Sequence, residues 1–323
     1  MRTIRQLFLS AFCVLPLYAA STPAATTYPD RPIRVLIGFP AGGSADIVAR
    51  MVTEAVAKTS DFEFVVENRS GAGGNIAFET AATAKPDGYT LLFSTPGIAI
   101  NPNLYRKVNF TQSDFTPITL IGESPLVMMV RPSLKVKTLS ELIETSKKDP
   151  EAIRFASSGN GSSSHLAAEV FRSMSGANYL HVPYRGGGTA MTDLIGGRVD
   201  MTVLPIAESM PYINDKTLRA LGQTGSRRSA IAPEIPTFDE AGVDGYSVTT
   251  WYMLLGPKNL QKDIVGKLHA AFSQALQSGD LKRRLKARGV DVLDKDSSAT
   301  VQFLKEQTQS WAKAIEASGI KLD

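Results

Sequence analysis

Four short segments rich in glycine and serine carry the chemistry that this sequence suggests. They are residues 40–44, 70–74, 157–164 and 184–188, and each follows a short apolar run and precedes a stretch with helical spacing. Glycine lets a backbone approach a ligand closely, and a helix start offers N–H groups and a partial positive charge that suit an anion. Any one segment alone is as typical of a tight turn. Together, the four predict a shared anion site that needs no Arg or Lys.

A nucleotide fits these segments poorly. Gly159, Gly161 and Ser164 resemble the dinucleotide fingerprint GxGxxG, but Ser164 stands where the third glycine belongs. Pro183 and Tyr184 stand about 20 residues further on, where an acid would hold the ribose. No GxxxxGK[ST] segment occurs. The sequence therefore predicts no nucleotide and no other cofactor.

The histidines and serines give little support for catalysis or for a bound metal. His165, His181 and His269 show no HExxH or other metal-ligand spacing, and the sequence has no GxSxG nucleophile turn. We therefore expect no catalytic residue and no metal site. One alternative stays open, a serine hydrolase that acts on a small ester or amide through Ser162, Ser163 or Ser164 with His165.

The elements that would position these segments alternate along the chain. Residues 34–39, 62–66 and 89–93 have the apolar runs typical of buried strands, and residues 45–57 and 75–84 have helical spacing. The middle of the chain repeats the alternation, with strands predicted at 126–130, 153–156, 179–182 and 199–204 and helices at 165–174 and 189–195. Such alternation predicts an α/β fold with a parallel or mostly parallel sheet, in which ligands bind beyond the carboxyl ends of the strands.

Further helices are predicted outside this alternation. A capping box at Thr138 and Glu141 starts a helix that Pro150 stops. Three helices are expected near the C-terminus, at residues 262–277, 281–287 and 299–317. In the last of them an apolar stripe is formed by Val301, Leu304, Trp311 and Ile315. That stripe predicts the face that packs on the core.

Residues 1–25 predict export. Arg2 and Arg5 precede an apolar run at residues 7–17, and small residues follow, which is the order of a secretory signal peptide. The run is too short to anchor the chain across a bilayer, and the only cysteine, Cys13, lies inside it. We expect cleavage between Ala20 and Thr27 and a mature periplasmic protein without a thiol.

Composition limits the remaining possibilities. A chain of 323 residues predicts roughly two domains. The formal charge is +4, and without Arg2 and Arg5 33 basic residues remain against 31 acidic ones. Such a small excess does not suggest a nucleic-acid partner.

Several segments together resemble one known family. They are YPDRPI at 28–33, FPAGGSAD at 39–46, VENR at 66–69, GAGGN at 71–75, PDGYTL at 86–91 and HVPY at 181–184. None is decisive alone, but they span most of the chain after residue 28. In combination they resemble the Bug family, the substrate-binding receptors of tripartite tricarboxylate transporters.

This resemblance implies a two-lobe periplasmic binding protein of type II, with a hinge of two crossing strands. Lobe one would hold residues 28–125 and 251–323, and lobe two residues 126–250. It implies a solute-binding protein rather than an enzyme, which captures a dicarboxylate, an acidic amino acid or an aromatic acid for uptake or sensing. The implied partners are the membrane subunits of a tripartite transporter or a sensor kinase, and we expect a monomer.

In the family, main-chain groups of the glycine loops and ordered waters hold a carboxylate. Carried over to this chain, together with neighbouring side chains, this implies the ligand-binding residues Phe39, Pro40, Ala41, Gly42, Gly43, Asp46, Ser94, Thr95, Ser157, Ser158, Gly159, Ser162, Ser163, Ser164, His165, Tyr184, Gly186, Gly187, Gly188 and Thr189. Whether Arg185 points into the cleft stays open.

Asp46 allows two interpretations, because a carboxylate side chain at a helix start would repel a carboxylate ligand. In the first, Asp46 accepts the N–H groups of its own loop and gains from the helix dipole. In the second, it pairs with an amine or hydroxyl on the ligand. We favour the first interpretation, since acids in a first helical turn commonly serve the helix itself.

Overall fold

The computed structural model of the chain describes residues 28–149, 153–318 and 321–322. Its strands, numbered in chain order, are β1 (Ile33–Ile37), β2 (Phe64–Asn68), β3 (Thr90–Ser94), β4 (Phe115–Val130), β5 (Arg154–Ser157), β6 (Leu180–Pro183), β7 (Met201–Pro205), β8 (Arg219–Gln223), β9 (Thr249–Pro257) and β10 (Asp291–Lys295). The predicted signal peptide lies outside the described residues. Among the described residues, no helix combines the length and the apolar character that a membrane span needs.

The helices follow the same numbering. They are α1 (Ser44–Thr59), α2 (Asn75–Ala82), α3 (Gly97–Leu104), α4 (Leu139–Lys148), α5 (Ser163–Ser175), α6 (Gly187–Ile195), α7 (Ile206–Asn214), α8 (Lys262–Gln277), α9 (Gly279–Lys286) and α10 (Ser297–Ser318). Apolar spacing explains the packing of α1, which buries Val48, Val52 and Val56 against the sheet and α8. Each such valine contributes about 1.5–3 kcal/mol by burial.

Two groups of parallel strands lie at opposite ends of the sheet path. At one end β1 lies between β2 and β3 and is parallel to both. At the other end β5 lies between β6 and β7 and is parallel to both. We call the first group with β9, β10 and helices α1–α3 and α8–α10 lobe one, and the second group with β8 and helices α4–α7 lobe two.

The long strand β4 joins the two lobes. Its first part pairs antiparallel with β9 and β10 of lobe one, and residues 126–130 pair antiparallel with β7 and β8 of lobe two. The strand β9 returns the chain from lobe two to lobe one beside β4. The chain therefore crosses between the lobes on two neighbouring strands, the arrangement of a two-strand hinge.

The structure corrects two expectations about elements. The sheet is mixed, because β4 and β9 run antiparallel to their neighbours, whereas a mostly parallel sheet was predicted. In α10, Leu304, Trp311 and Ile315 are buried as predicted, but Val301 is 48% exposed. Thr300 is buried in its place and its hydroxyl donates to Lys295 O and Asp296 O, so a polar residue fills the inner position of the first turn.

Most predicted helices and strands are confirmed, with ends shifted by up to about two residues. Thr138 caps α4 as predicted, since its Oγ1 accepts the Glu141 N–H at 3.2 Å. Five elements had no sequence prediction: the helices α3 and α7 and the strands β8, β9 and β10. The first part of β4 was also not predicted.

Candidate functional site

A cavity of about 530 Å³ lies between the lobes, beyond the carboxyl ends of β1, β6 and β7. Lobe one lines it with the loop before α1, and lobe two lines it with the starts of α6 and α7. Its volume lies within the range of sites that hold small organic molecules. The apolar lining includes Phe39, Val48, Met191, Pro205 and Tyr212. The cavity therefore suits a ligand with a hydrocarbon part and a few polar groups.

Asp46 fixes the shape of the loop before α1 through hydrogen bonds. Gly42, with φ +81°, donates its N–H to Asp46 Oδ2 at 3.0 Å. Asp46 Oδ1 accepts from Arg50 Nε at 2.9 Å and from Asn68 Nδ2 at 3.0 Å, and Asn68 Nδ2 also donates to Phe39 O at 3.0 Å. Asp46 is buried and is not among the residues that line the cavity. These contacts agree with the first interpretation of Asp46, in which its carboxylate accepts the N–H groups of its own loop.

Of the predicted ligand-binding residues, twelve line this cavity. They are Phe39, Pro40, Ala41, Gly42, Gly43, Thr95, Ser158, Ser163, Gly186, Gly187, Gly188 and Thr189. The lining also includes Arg185, whose direction the sequence left open. Gly186, with φ +130°, packs against the Pro40 ring, so close that a Cβ there would lie 3.1 Å from Pro40 Cγ. The two loops thus meet across the lobes.

The other predicted residues lie elsewhere. Gly159 and Tyr184 line a second cavity of about 270 Å³, together with the glycine loop at residues 70–74. The four glycine loops therefore border two neighbouring cavities rather than one. Ser94, Ser157, Ser162, Ser164 and His165 are buried beneath the loops, as is Asp46.

The start of α5 is held by neutral groups. Ser162 Oγ accepts the His165 N–H at 3.2 Å and donates to Gly159 O at 2.6 Å, and Gly161 donates its N–H to His165 Nδ1 at 3.3 Å. The His165 ring stacks on the His181 ring with centroids 4.2 Å apart, and His181 Nε2 lies 2.6 Å from Ser157 Oγ. Ser162 is thus a helix cap and does not hydrogen-bond to the His165 ring.

Burial sets the charge of both histidines. Desolvation, with smaller effects from His181 and Arg172, lowers the pKa of His165 to about 3. Desolvation and the nearby Arg172 lower the pKa of His181 to about 4. Both rings are therefore neutral at pH 7. Because Ser157 is fully buried, its contact with His181 is out of reach of a substrate.

Several of the described lining residues were not predicted from the sequence, and the one acid among them is Glu208. Glu208, in the first turn of α7, reaches across from lobe two to the start of α1 in lobe one. Its Oε1 accepts the Ser44 N–H at 2.6 Å, and Ser44 Oγ lies 2.8 Å from the Tyr252 hydroxyl. Burial raises the pKa of Glu208, and the bond from Ser44 N–H opposes that rise. The sequence did contain a signal for Glu208. It is an acid shortly after the apolar run of β7, at the same sheet edge as the glycine loops.

Comparisons with known proteins agree with this architecture. A family model described as the tripartite tricarboxylate transporter family receptor matches residues 48–320. Protein BugT of Bordetella pertussis is 33% identical over 309 residues, which cover 94% of each chain.

Solved structures give the same result. Rpa4515 of R. palustris with adipate has a TM-score of 0.87 and 30% identity, covering 91% of this chain and 99% of that one. MatC of Rhodopseudomonas palustris with bound malate has a TM-score of 0.84 and 30% identity, covering 89% of this chain and 100% of that one. These similarities confirm the two-lobe periplasmic binding protein fold that the motifs implied.

Proposed function

The chain belongs to the tripartite tricarboxylate transporter receptor family, and on that premise we propose that it captures a small organic carboxylate in the cavity between its lobes. The observation that carries this proposal is the cavity itself, which brings the loop before α1 and the start of α6 around one space of about 530 Å³. Each lobe supplies part of the lining, so a bound ligand holds the lobes together.

The start of α6 supplies donors for a carboxylate. The first intrahelical bond there runs from Ala190 N–H to Gly186 O, which leaves the N–H groups of Gly187, Gly188 and Thr189 outside the helical pattern. These three residues line the cavity, and glycine leaves the backbone accessible. Arg185 and Arg288 add positive charge to the same lining. An anion at this helix start is favoured by both the N–H groups and the helix dipole.

The similar proteins support the same ligand class, because one was solved with adipate and another with malate. Both ligands are small dicarboxylates with a short hydrocarbon chain, which suits the mixed lining of this cavity. The hydrolase alternative has no comparable support, since Ser162 caps α5 and the His165 ring stacks on His181.

A thermal-shift screen over organic acids tests the ligand class. At 100 times its dissociation constant a ligand adds about 2.7 kcal/mol to the stability of the folded protein. We expect at least one carboxylate to raise the melting temperature, while its uncharged amide analogue does not. If a neutral sugar or the amide stabilises the protein and no carboxylate does, the proposed ligand class is wrong.

A cavity-filling variant tests the site. A Cβ on Gly43 would meet Pro40 O at an ordinary 3.4 Å and lie 4.0 Å from Glu208 Oε1, so a side chain there extends into the cavity without backbone strain. We expect Gly43→Leu to abolish binding while the protein remains folded. The matched control is Gly266→Leu on α8, where nothing lies within 4 Å of the added Cβ. Unchanged binding by Gly43→Leu would place the ligand elsewhere.

Capture also requires the lobes to move apart and close. Contacts across the lobes are present in this structure, between Ser44 and Glu208 and from the Tyr105 hydroxyl to Asn160 O at 3.2 Å. We expect saturating ligand to reduce the radius of gyration measured by X-ray scattering. An unchanged radius would count against closure around the ligand.

The same proposal assigns a place and a partner. We expect a periplasmic protein that delivers its acid to the membrane subunits of a tripartite transporter. Mass spectrometry of the protein from periplasmic extracts should show a mature N-terminus between Ala20 and Thr27, and an intact Met1 would contradict export. Deleting the receptor should abolish uptake of the captured acid, and unchanged uptake would argue for the sensor kinase partner.

A further inference from the structure

The cavity contains one acid of its own. Of the lining residues that the structure describes, Glu208 is the only acidic one, and Arg185 and Arg288 are the cations. A carboxylate inside a site that takes carboxylates needs a reason, because like charges in a partly dehydrated cavity repel one another.

The carboxyl group of Glu208, a residue of α7, lies at the start of α1. Its Oε1 accepts the Ser44 N–H at 2.6 Å, which is the position that a ligand carboxylate would take at that helix start. Its Oε2 lies against the start of α6, where a Cβ on Gly187 would come within 2.3 Å of it. The protein therefore fills the anion position of lobe one with its own side chain. A ligand carboxylate is left with the donors of α6, and Glu208 stands beside it.

No cation among the described residues forms an ion pair with Glu208. Its one hydrogen bond within that part of the chain is the bond from the Ser44 N–H. Burial raises its pKa, as expected of a carboxyl that lacks a countercharge. The missing partner is a donor, ideally a positively charged one, supplied from inside the cavity.

Resting on the proposed function, we infer that Glu208 selects the ligand by requiring a hydrogen-bond donor on it. The ligand class is then a carboxylic acid that also carries an amine or, less favourably, a hydroxyl group. The carboxylate binds at the start of α6, and the ammonium or hydroxyl group donates to the Glu208 carboxylate. An acid without such a donor leaves Glu208 unpaired and binds more weakly.

Two matched series of acids test this selection by calorimetry. The first is aspartate, malate and succinate, and the second is 2-aminoadipate, 2-hydroxyadipate and adipate. Within each series only the substituent at the second carbon changes, from ammonium to hydroxyl to hydrogen. We expect wild-type affinity to fall in that order in at least one series, by about tenfold to a hundredfold between the ends, as for a hydrogen bond to a charged group.

The variant Glu208→Gln tests whether Glu208 causes the preference for acids that carry an amine or a hydroxyl group. It keeps the shape and the acceptor for Ser44 N–H but removes the charge. We expect the amino acid to lose about tenfold or more in affinity, while succinate or adipate binds as well as before or better. Glu234→Gln, an exposed acid of the same lobe, is the matched control and should leave the order unchanged.

The outcomes separate the two proposals. If succinate or adipate binds as tightly as its amino analogue and Glu208→Gln changes neither, the selection by Glu208 is overturned and carboxylate capture stands. If Glu208→Gln weakens every acid equally, Glu208 supports the site without selecting the ligand, and the inference is again overturned. If neither protein binds any of the six acids and no other carboxylate stabilises the protein in the thermal-shift screen, carboxylate capture itself fails and the inference fails with it.

Discussion

The helix starts of the two lobes are held in opposite ways. At α1 in lobe one, carboxylates accept the N–H groups: Asp46 holds Gly42 and Glu208 holds Ser44. At α5 in lobe two, the acceptors are neutral: the Ser162 hydroxyl accepts the His165 N–H and the uncharged His165 ring accepts the Gly161 N–H. At α6 no side chain caps the helix. Equivalent helix starts at one sheet edge therefore differ in whether their N–H groups can bind a ligand, because side chains of the protein already bind those of α1 and α5.

This contrast predicts opposite responses to charge. At α1 in lobe one the acceptors are the carboxyl groups of Asp46 and Glu208, whereas lobe two depends on histidines that remain neutral. Changes of pH and charge-removing substitutions should therefore affect the two regions differently.

Acidification should act first on lobe two. The folded-state pKa values of His165 and His181, about 3 and about 4, lie below their ordinary value of 6.5, so the unfolded chain binds protons more readily. Their contribution to stability is complete above pH 6.5 and is lost as pH falls towards 4. The expected loss in the free energy of unfolding between pH 7 and 4.5 is about 5 kcal/mol for the two histidines together, measured by urea denaturation.

A double variant separates the effect of the two histidines from the titration of the carboxyl groups. His165→Gln with His181→Gln should flatten the dependence of stability on pH between 6.5 and 4.5, although the protein is less stable overall. His269→Gln on α8 is the control and should keep the wild-type dependence. If the double variant keeps it too, the stacked histidines are not its source. Burial raises the pKa of Glu169 beside His165, so this carboxyl adds stability as pH falls towards its ordinary value of 4.5, in the direction opposite to the histidines.

Asp46→Asn should give the next largest effect, in lobe one. It removes the charge that accepts from Gly42, Arg50 and Asn68, at an expected cost of about 2 kcal/mol. Because the whole loop before α1 is disturbed, every ligand should bind more weakly by a similar factor. Asp61→Asn, an exposed acid, is the control. A selective loss for amino-bearing acids with an unchanged melting temperature would instead show that Asp46 pairs with the ligand.

Ser162→Ala should have a moderate effect on lobe two. Loss of this cap removes the acceptor of His165 N–H and costs about 1 kcal/mol. Ser163→Ala, which changes the neighbouring residue at the cavity, should leave thermal stability close to wild type. Equal melting temperatures for both variants would mean that the cap contributes nothing measurable.

Glu208→Gln should have the smallest effect on stability, and with the opposite sign. A raised pKa means that the folded state disfavours the ionised form, so at neutral pH removal of the charge should raise the melting temperature slightly. The difference should vanish as pH falls, because wild-type Glu208 then takes up a proton. A clear destabilisation at pH 7 would show that its charge is needed to hold α1.

The alternating elements of the two lobes could be predicted because their apolar runs are continuous. The strand β1 and the helix α8 follow the sequence pattern closely. The hinge could not be predicted in full, because Pro117, Gly122 and Pro125 interrupt the first part of β4 and read as turn signals. Pairing with β9 and β10 on either side overrides those local preferences.

The candidate site was predictable to the extent that glycine loops mark the carboxyl ends of strands. The loops at residues 39–43 and 186–189 do meet in one cavity. Glu208 was missed because α7 was missed, and α7 was missed because Pro211 lies inside it. A proline is counted as a helix breaker from sequence alone, but the short helices α3 and α7 each tolerate one.

A crystal structure with the acid that binds most tightly will show where the ligand lies. We expect its carboxylate in the larger cavity, within hydrogen-bond distance of the N–H groups of Gly187, Gly188 or Thr189, with both lobes in contact with the ligand. A carboxylate bound instead in the smaller cavity beside residues 70–74, or on one lobe alone, would refute capture between the lobes at the start of α6.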